Sequence, residues 1–108
     1  MPNWDLTTEE YFYFDDWEYD VRAAKRAIIK GRYVITSCKP KGFSQLLKTI
    51  DIIARRGHQI DLSVPVLIVS HFGLDLPIDG WHRIRKALRC RIKSLPCIHL
   101  GEFSRRRW

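Results

Sequence analysis

Five consecutive residues, Asp79-Gly80-Trp81-His82-Arg83, bring a carboxylate, a glycine, an imidazole and a guanidinium together where the local pattern changes. Leu74 to Ile78 reads as a strand, made imperfect by Pro77, and Trp81 to Arg89 or Cys90 keeps helical spacing. A helix that starts at such a junction presents unpaired backbone N–H groups and the positive end of its dipole, which suit a phosphate. Gly80 lets the backbone approach an anion closely or adopt a conformation closed to other residues. A cation in the first helical turn opposes the dipole, so Arg83 needs a reason to be there. A phosphate held between the helix end and the guanidinium would supply one. Asp79 is suited to capping the helix, to orienting His82 or Arg83, or to holding a divalent metal. Trp81 suits either a pocket wall, where it would stack on a base, or packing under the loop. Strand-Asp-Gly-helix is also a common structural device, with Asp79 as cap and Arg83 as a surface residue.

Basic residues continue beyond this stretch. Positions 82, 85, 86 and 89 share one face of the expected helix, so Arg85, Lys86 and Arg89 are candidates for a phosphate backbone, with Ile84 and Leu88 marking the core side. The alternative is a solvated face. Arg105, Arg106 and Arg107 extend the candidate nucleic-acid surface into a tail expected to be exposed. Among the scattered histidines His58, His71 and His99, His71 is the best candidate for an acid–base role. Asp75 would join Asp79 in a two-carboxylate metal site only by pointing inward. Cys38, Cys90 and Cys97 have no Cys-x-x-Cys spacing and read as free thiols.

The elements that must position these groups follow from hydrophobic period and breakers. Thr7 with Glu10 fits a capping box, and Asp15 or Asp16 is a second candidate cap. From Trp17 the spacing Trp17, Val21, Ala24, Ile28 predicts a helix stopping at Gly31. Tyr33–Thr36 is expected as a strand and Lys39–Gly42 as a turn. Leu46, Leu47, Ile50, Ile53 and Ala54 form the stripe of a second helix, with Gly57 behind it. Val64–Val69 and Ser94–Leu100 complete the strands, and His71–Leu74 reads as a hairpin loop. The order predicts a compact single-domain α+β fold over residues 1–108, a small mixed sheet packed with helices.

Composition is ordinary for a globular chain, with 45% hydrophobic and 29% charged residues. No apolar run approaches the roughly 18 residues of a membrane span, and residues 1–20 are acidic where a secretory signal would be basic, so a cytoplasmic protein is expected. The net charge of +7 is unevenly spread: residues 1–20 hold seven carboxylates and no Lys or Arg, leaving +14 on the remainder. Such a basic body attracts nucleic acid, nucleotides or acidic protein surfaces. The first 20 residues also hold Trp4, Tyr11, Phe12, Tyr13, Phe14, Trp17 and Tyr19. Three readings fit them: completing the core, docking a protein partner, or folding back over the basic surface.

Asp79-Gly80-x-His82-Arg83-x-x-x-Ala87, preceded by Pro65-Val66-Leu67-Ile68-Val69 and followed by Leu95-Pro96-Cys97-Ile98, resembles the ParB-like nuclease domain and the wider ParB/sulfiredoxin superfamily. The likeness makes residues 43–100 a ParB/sulfiredoxin-like core, with 1–42 as an acidic-aromatic extension plus helix and first strand, and 101–108 as a basic tail. It implies nucleotide phosphates at Gly80, His82 and Arg83, with Trp81 as a further nucleotide-binding candidate and with Arg83, His82 and Asp79 as catalytic candidates. ATP or CTP is the implied nucleotide, with Mg²⁺ at Asp79. Activities in the superfamily include NTP hydrolysis, DNA cleavage, phosphorylation of free serine and repair of an oxidised cysteine. Trp81 stands where sulfiredoxins carry their nucleophilic cysteine, which excludes that chemistry. The helix-turn-helix and dimerisation tail of partitioning ParB proteins are not expected within this chain. The resemblance therefore suggests an NTPase and/or DNase, a plasmid or phage accessory factor of the fertility-inhibition type. A catalytically inactive basic module that inhibits a partner or occludes nucleic acid is the alternative.

Overall fold

The computed structural model describes residues 4–50 and 60–107. Strands β1 (Tyr11–Phe14) and β2 (Trp17–Asp20) form a hairpin and lead directly into α1 (Val21–Lys30). Next come β3 (Thr36–Cys38), a 3₁₀ turn (Pro40–Phe43) and the short α2 (Ser44–Leu47). Then β4 (Val66–His71), β5 (Leu74–Asp79), α3 (Trp81–Arg89), β6 (Leu95–His99) and β7 (Arg105–Arg107) follow. Two sheets result. One is antiparallel, in the order β1-β2-β7; the other is mixed, in the order β3-β6-β4-β5. In the mixed sheet β4 runs antiparallel to β5 and parallel to β6, which α3 makes possible by carrying the chain back across the sheet. The fold is α+β, built on one hydrophobic core.

Central strand β4 is apolar on both faces, and Val66, Leu67, Ile68 and Val69 are all buried. Around them pack Leu76 and Ile78 of β5, Ile84 and Ala87 of α3, Ile98 of β6, and Tyr19, Ala24 and Ile28 from the first 30 residues. Trp4, Phe12 and Phe14 lie against the same core. At the β4–β5 hairpin, Phe72 (φ 50°) and Gly73 (φ 83°) both have positive φ, the torsions a two-residue turn between right-twisted strands requires.

Five expectations are corrected. The helix expected from Trp17 starts at Val21. Asp20 caps it by accepting from the Ala23 N–H at 2.9 Å, while Trp17–Asp20 is a strand held between β1 and β7. Thr7 and Glu10 form no capping box: the Thr7 N–H turns back to Asp5 Oδ1 at 2.9 Å, and the Glu10 carbonyl accepts from the Val21 N–H. The strand expected at Tyr33–Thr36 lies at Thr36–Cys38, because pairing with β6 sets its limits; Val34 and Ile35, outside that pairing, are exposed. Arg105–Arg107 is not a free tail but strand β7. The second helix ends at Leu47, and Ile50 of its expected stripe lies in the bend that follows, still packed against the core; Ile53, Ala54, Gly57 and His58 lie outside the described residues.

Candidate functional site

Strand β5 ends at Asp79, opposite Leu67, where the β4–β5 register shifts between Leu67 and Ile68. Gly80 then turns the chain into α3 with φ 106° and ψ 16°, and its carbonyl accepts the Ile84 N–H at 3.0 Å. Only glycine fits here. Besides the left-handed torsion, a Cβ would lie 3.0 Å from Val66 Cγ2 and 3.2 Å from Arg83 Nη2. No side chain caps α3, so its opening turn carries no internal acceptor of that kind.

A chain of alternating charges runs beside this turn. Arg83 Nη1 donates to the Val64 and Pro65 carbonyls at 2.6 and 2.8 Å, and Nη2 donates to Asp79 Oδ2 at 3.1 Å. The same Asp79 oxygen lies 3.8 Å from Lys25 Nζ, which donates to Glu10 Oε1 at 2.8 Å. Lys25 is only 8% exposed, and the Arg83 side chain 11%. Charges this deep persist only when paired and hydrogen-bonded. Arg83's place at the unfavourable end of the dipole therefore has a cause inside the chain: it ties the segment entering β4 to the end of β5. Three of its five N–H donors are spent on these acceptors.

A cavity of about 560 Å³ opens on this cluster, within the range of small-molecule sites. Asp79, Gly80, His82, Arg83 and Lys25 line one side; Trp4, Asp5, Thr8, Glu9 and Glu10 line another, with Ile60, Asp61 and Val64. Asp79, Gly80, His82 and Arg83, expected together from sequence, thus meet at one cavity. Trp81 does not reach it. Its indole N–H donates to the Pro77 carbonyl at 2.8 Å, and its ring packs between Phe12 and Phe43. The packing alternative for Trp81 is the one the geometry favours.

The other candidates are dispersed. Lys86 Nζ donates to the Ile60 carbonyl at 3.1 Å, while Arg85 is half-buried and Arg89 exposed on α3. Arg105–Arg107 belong to the other sheet. The Arg105 guanidinium lies 4.0 Å from the Phe72 ring centroid and 5.2 Å from that of Trp17. Arg106 bonds Glu18 at 2.6 Å, and Arg107 lies 4.0 Å from Asp16. His71 closes the far end of β4 from Asp79, buried, with the Tyr19 hydroxyl 2.6 Å from its Nδ1. Burial, then the Arg105 charge, holds its pKa below the usual histidine range, and the Tyr19 hydroxyl is raised by burial. His71 does not line the cavity and has no part in an acid–base role there.

Asp75 is exposed and bonds His99 at 2.9 Å. Four residues of strand, about 13 Å, separate it from Asp79, so the two cannot share a metal. Among the described residues no group of three or more His, Cys, Asp or Glu is placed to hold a metal ion. Asp79 Oδ2 already faces two cations, so these residues do not fit a protein-held Mg²⁺. The cysteines are all free, and burial and the neighbouring Cys97 push the Cys38 thiol up to about 12.

Sequence reasoning missed Lys25 and Glu10. A signal for Lys25 was there: Val21, Ala24, Lys25 and Ile28 together make the buried stripe of α1, and a lysine within such a stripe needs a buried partner. Glu10 carried no such signal. No helix among the described residues is long and apolar enough to cross a membrane. Comparison with protein-family models, with curated proteins and with solved structures finds no match.

Proposed function

We propose that this chain is a nucleotide-phosphate-binding protein of the ParB/sulfiredoxin type. It holds the phosphates of ATP or CTP over the Gly80 turn and the start of α3, and hydrolyses the nucleoside triphosphate and/or cleaves DNA. The observation that carries the reading is the convergence of the uncapped α3 N-terminus, the left-handed Gly80 and the cations Lys25 and Arg83 on one cavity. Helix N–H groups and fixed cations stabilise the charge that develops on a reacting phosphoryl group without having to reorganise. Arg83, anchored by two carbonyls and Asp79, acts as a rigid electrostatic wall. His82, in the first turn, contacts phosphate or moves a proton to it. Asp79 holds both cations in place. No step is assigned to a metal. The biological setting the resemblance suggests is a plasmid or phage accessory factor that limits transfer of another element, with DNA as a further partner along Arg85 and Arg89.

A second reading is favoured by one specific observation: among the described residues all five carboxylates that line the cavity are already engaged, Asp79 and Glu10 with buried cations, Glu9 with Arg22, and Asp5 and Asp61 with the hydroxyls of Thr7 and Ser63, which leaves no unengaged carboxylate as general base. On that reading the chain is an inactive binding module that inhibits a partner protein or occludes nucleic acid.

Arg83 is a poor probe of catalysis because it also holds the fold; His82 is the better one. ATP and CTP turnover and nicking of supercoiled DNA are measured for the wild type and His82→Ala. The hydrolytic reading expects turnover that falls at least about tenfold in a folded His82→Ala protein. Equal turnover in both would place the chemistry elsewhere. Nucleotide binding without turnover would select the inactive module.

A further inference from the structure

We propose that Lys25 is a phosphate-holding residue of this site and that the Glu10 carboxylate is its internal stand-in, so that residues 5–10 form a strap a ligand must displace. The proposal rests on the phosphate-site reading above and adds its regulation.

Charge balance is the first argument. Asp79 offers one carboxylate oxygen to two buried cations, at 3.1 Å from Arg83 and 3.8 Å from Lys25. One negative charge cannot neutralise both, and the shorter contact belongs to Arg83. The missing charge comes from the strap, through Glu10 at 2.8 Å. Lys25 therefore requires an anion at that point, whether a carboxylate or a phosphate.

Cost is the second. Lys25 occupies the apolar stripe of α1, where a hydrophobic side chain of similar volume would commonly serve stability as well or better. A buried ammonium facing a ligand-sized cavity is explained by binding rather than by folding.

The third argument is how lightly the acidic side chains of the strap are held. The Glu10 side chain remains 45% exposed, and Glu9, whose carboxylate lies 3.6 Å from the half-buried Arg22, is 66% exposed, so solvent screens what it contributes. Trp4 lies over Lys25, with Nζ 5.8 Å from its ring centroid, yet its indole N–H is shielded from solvent and meets no acceptor among the described residues. A buried donor with no acceptor, beside a cation and at the cavity wall, is satisfied by an anionic oxygen placed there. While the strap is down, Asp5, Glu9 and Glu10 repel an incoming anion; once it lifts, Lys25 is free to take one.

The test uses the full chain and tripolyphosphate as the probe, with binding followed by calorimetry. Glu10→Gln removes the competing charge and is expected to tighten binding by roughly tenfold. Lys25→Met, which suits the apolar stripe, is expected to weaken binding and to abolish the gain in the Glu10→Gln background. Hydrogen exchange in residues 5–10 is expected to speed up when the probe binds the wild type. Binding that is equal in wild type and Glu10→Gln overturns the strap and leaves the phosphate site standing. A Glu10→Gln gain that survives Lys25→Met assigns it to bulk charge and also overturns the proposal. No binding by either the wild type or Glu10→Gln overturns both the strap and the site.

Discussion

Two clusters of basic residues meet opposite fates in this molecule. Arg83 sits at the junction of β4, β5 and α3, where three short hydrogen bonds hold its side chain nearly out of solvent. Arg105–Arg107 lie along an edge strand, where the Arg106 side chain is 75% exposed and Arg107 about as open. Both pair with carboxylates, but only Arg83 is also bound by main-chain carbonyls. The difference teaches that local charge density says little about what an arginine does; the acceptors the fold places around it decide. Arg105 falls between the two, its guanidinium packed against Phe72 and Trp17 and so tying the two sheets together.

The sharpest way to break this comparison is by stability. Arg83→Met is expected to lose about 3 kcal/mol in urea unfolding, because it strands the Val64 and Pro65 carbonyls and the Asp79 carboxylate. Arg105→Ala is expected to lose about 1 kcal/mol through its ring contacts, and Arg106→Ala less than about 1 kcal/mol, with a loss that shrinks as salt rises. Equal losses at Arg83 and Arg106 would erase the distinction. The smallest effect concerns pH at the aromatic end. His71 has a folded pKa below its unfolded value, so the unfolded chain binds the extra proton first. Stability is then fully present above about pH 6.5 and falls as pH drops below it towards the folded value. In His71→Gln, which keeps a hydrogen-bonding partner for Tyr19, denaturation midpoints between about pH 6.5 and 5 are expected to lose that slope.

Much of the mixed sheet was legible because its signals are local. Apolar Val66–Val69, the hairpin at Phe72-Gly73, the break at Asp79-Gly80 and the helical spacing from Trp81 to Arg89 each follow from a few neighbouring residues, although the buried side of that helix is Trp81, Ile84 and Ala87 and the expected Leu88 is half-buried. The meeting of Asp79, Gly80, His82 and Arg83 at one cavity followed from the same run. The first 20 residues were not legible in this way. Trp17, Val21, Ala24 and Ile28 satisfy helical spacing, yet Trp17 belongs to a strand whose second neighbour, β7, lies far along the chain. No local period carries that pairing, and the same blindness turned Arg105–Arg107 into an expected tail. Lys25 escaped because the helical spacing is read on Trp17, Val21, Ala24 and Ile28 alone, although Lys25 lies within the same buried stripe. Glu10 reaches Lys25 only once β1, β2 and α1 have folded together, a consequence of tertiary structure alone.

The pairing of β2 with β7 sets an order of events during synthesis. Glu18 and Arg106 are 88 residues apart, so the hairpin of Tyr11–Asp20 leaves the ribosome long before its third strand exists. Until then β2 is an aromatic edge with open hydrogen-bonding groups, the kind of edge that seeks pairing with other chains. Closing so long a loop must wait for contacts elsewhere to offset its entropy. Because residues 5–10 continue directly into β1, the cavity wall they line adjoins a sheet that stays open until β7, the last of the described elements in chain order, has been made.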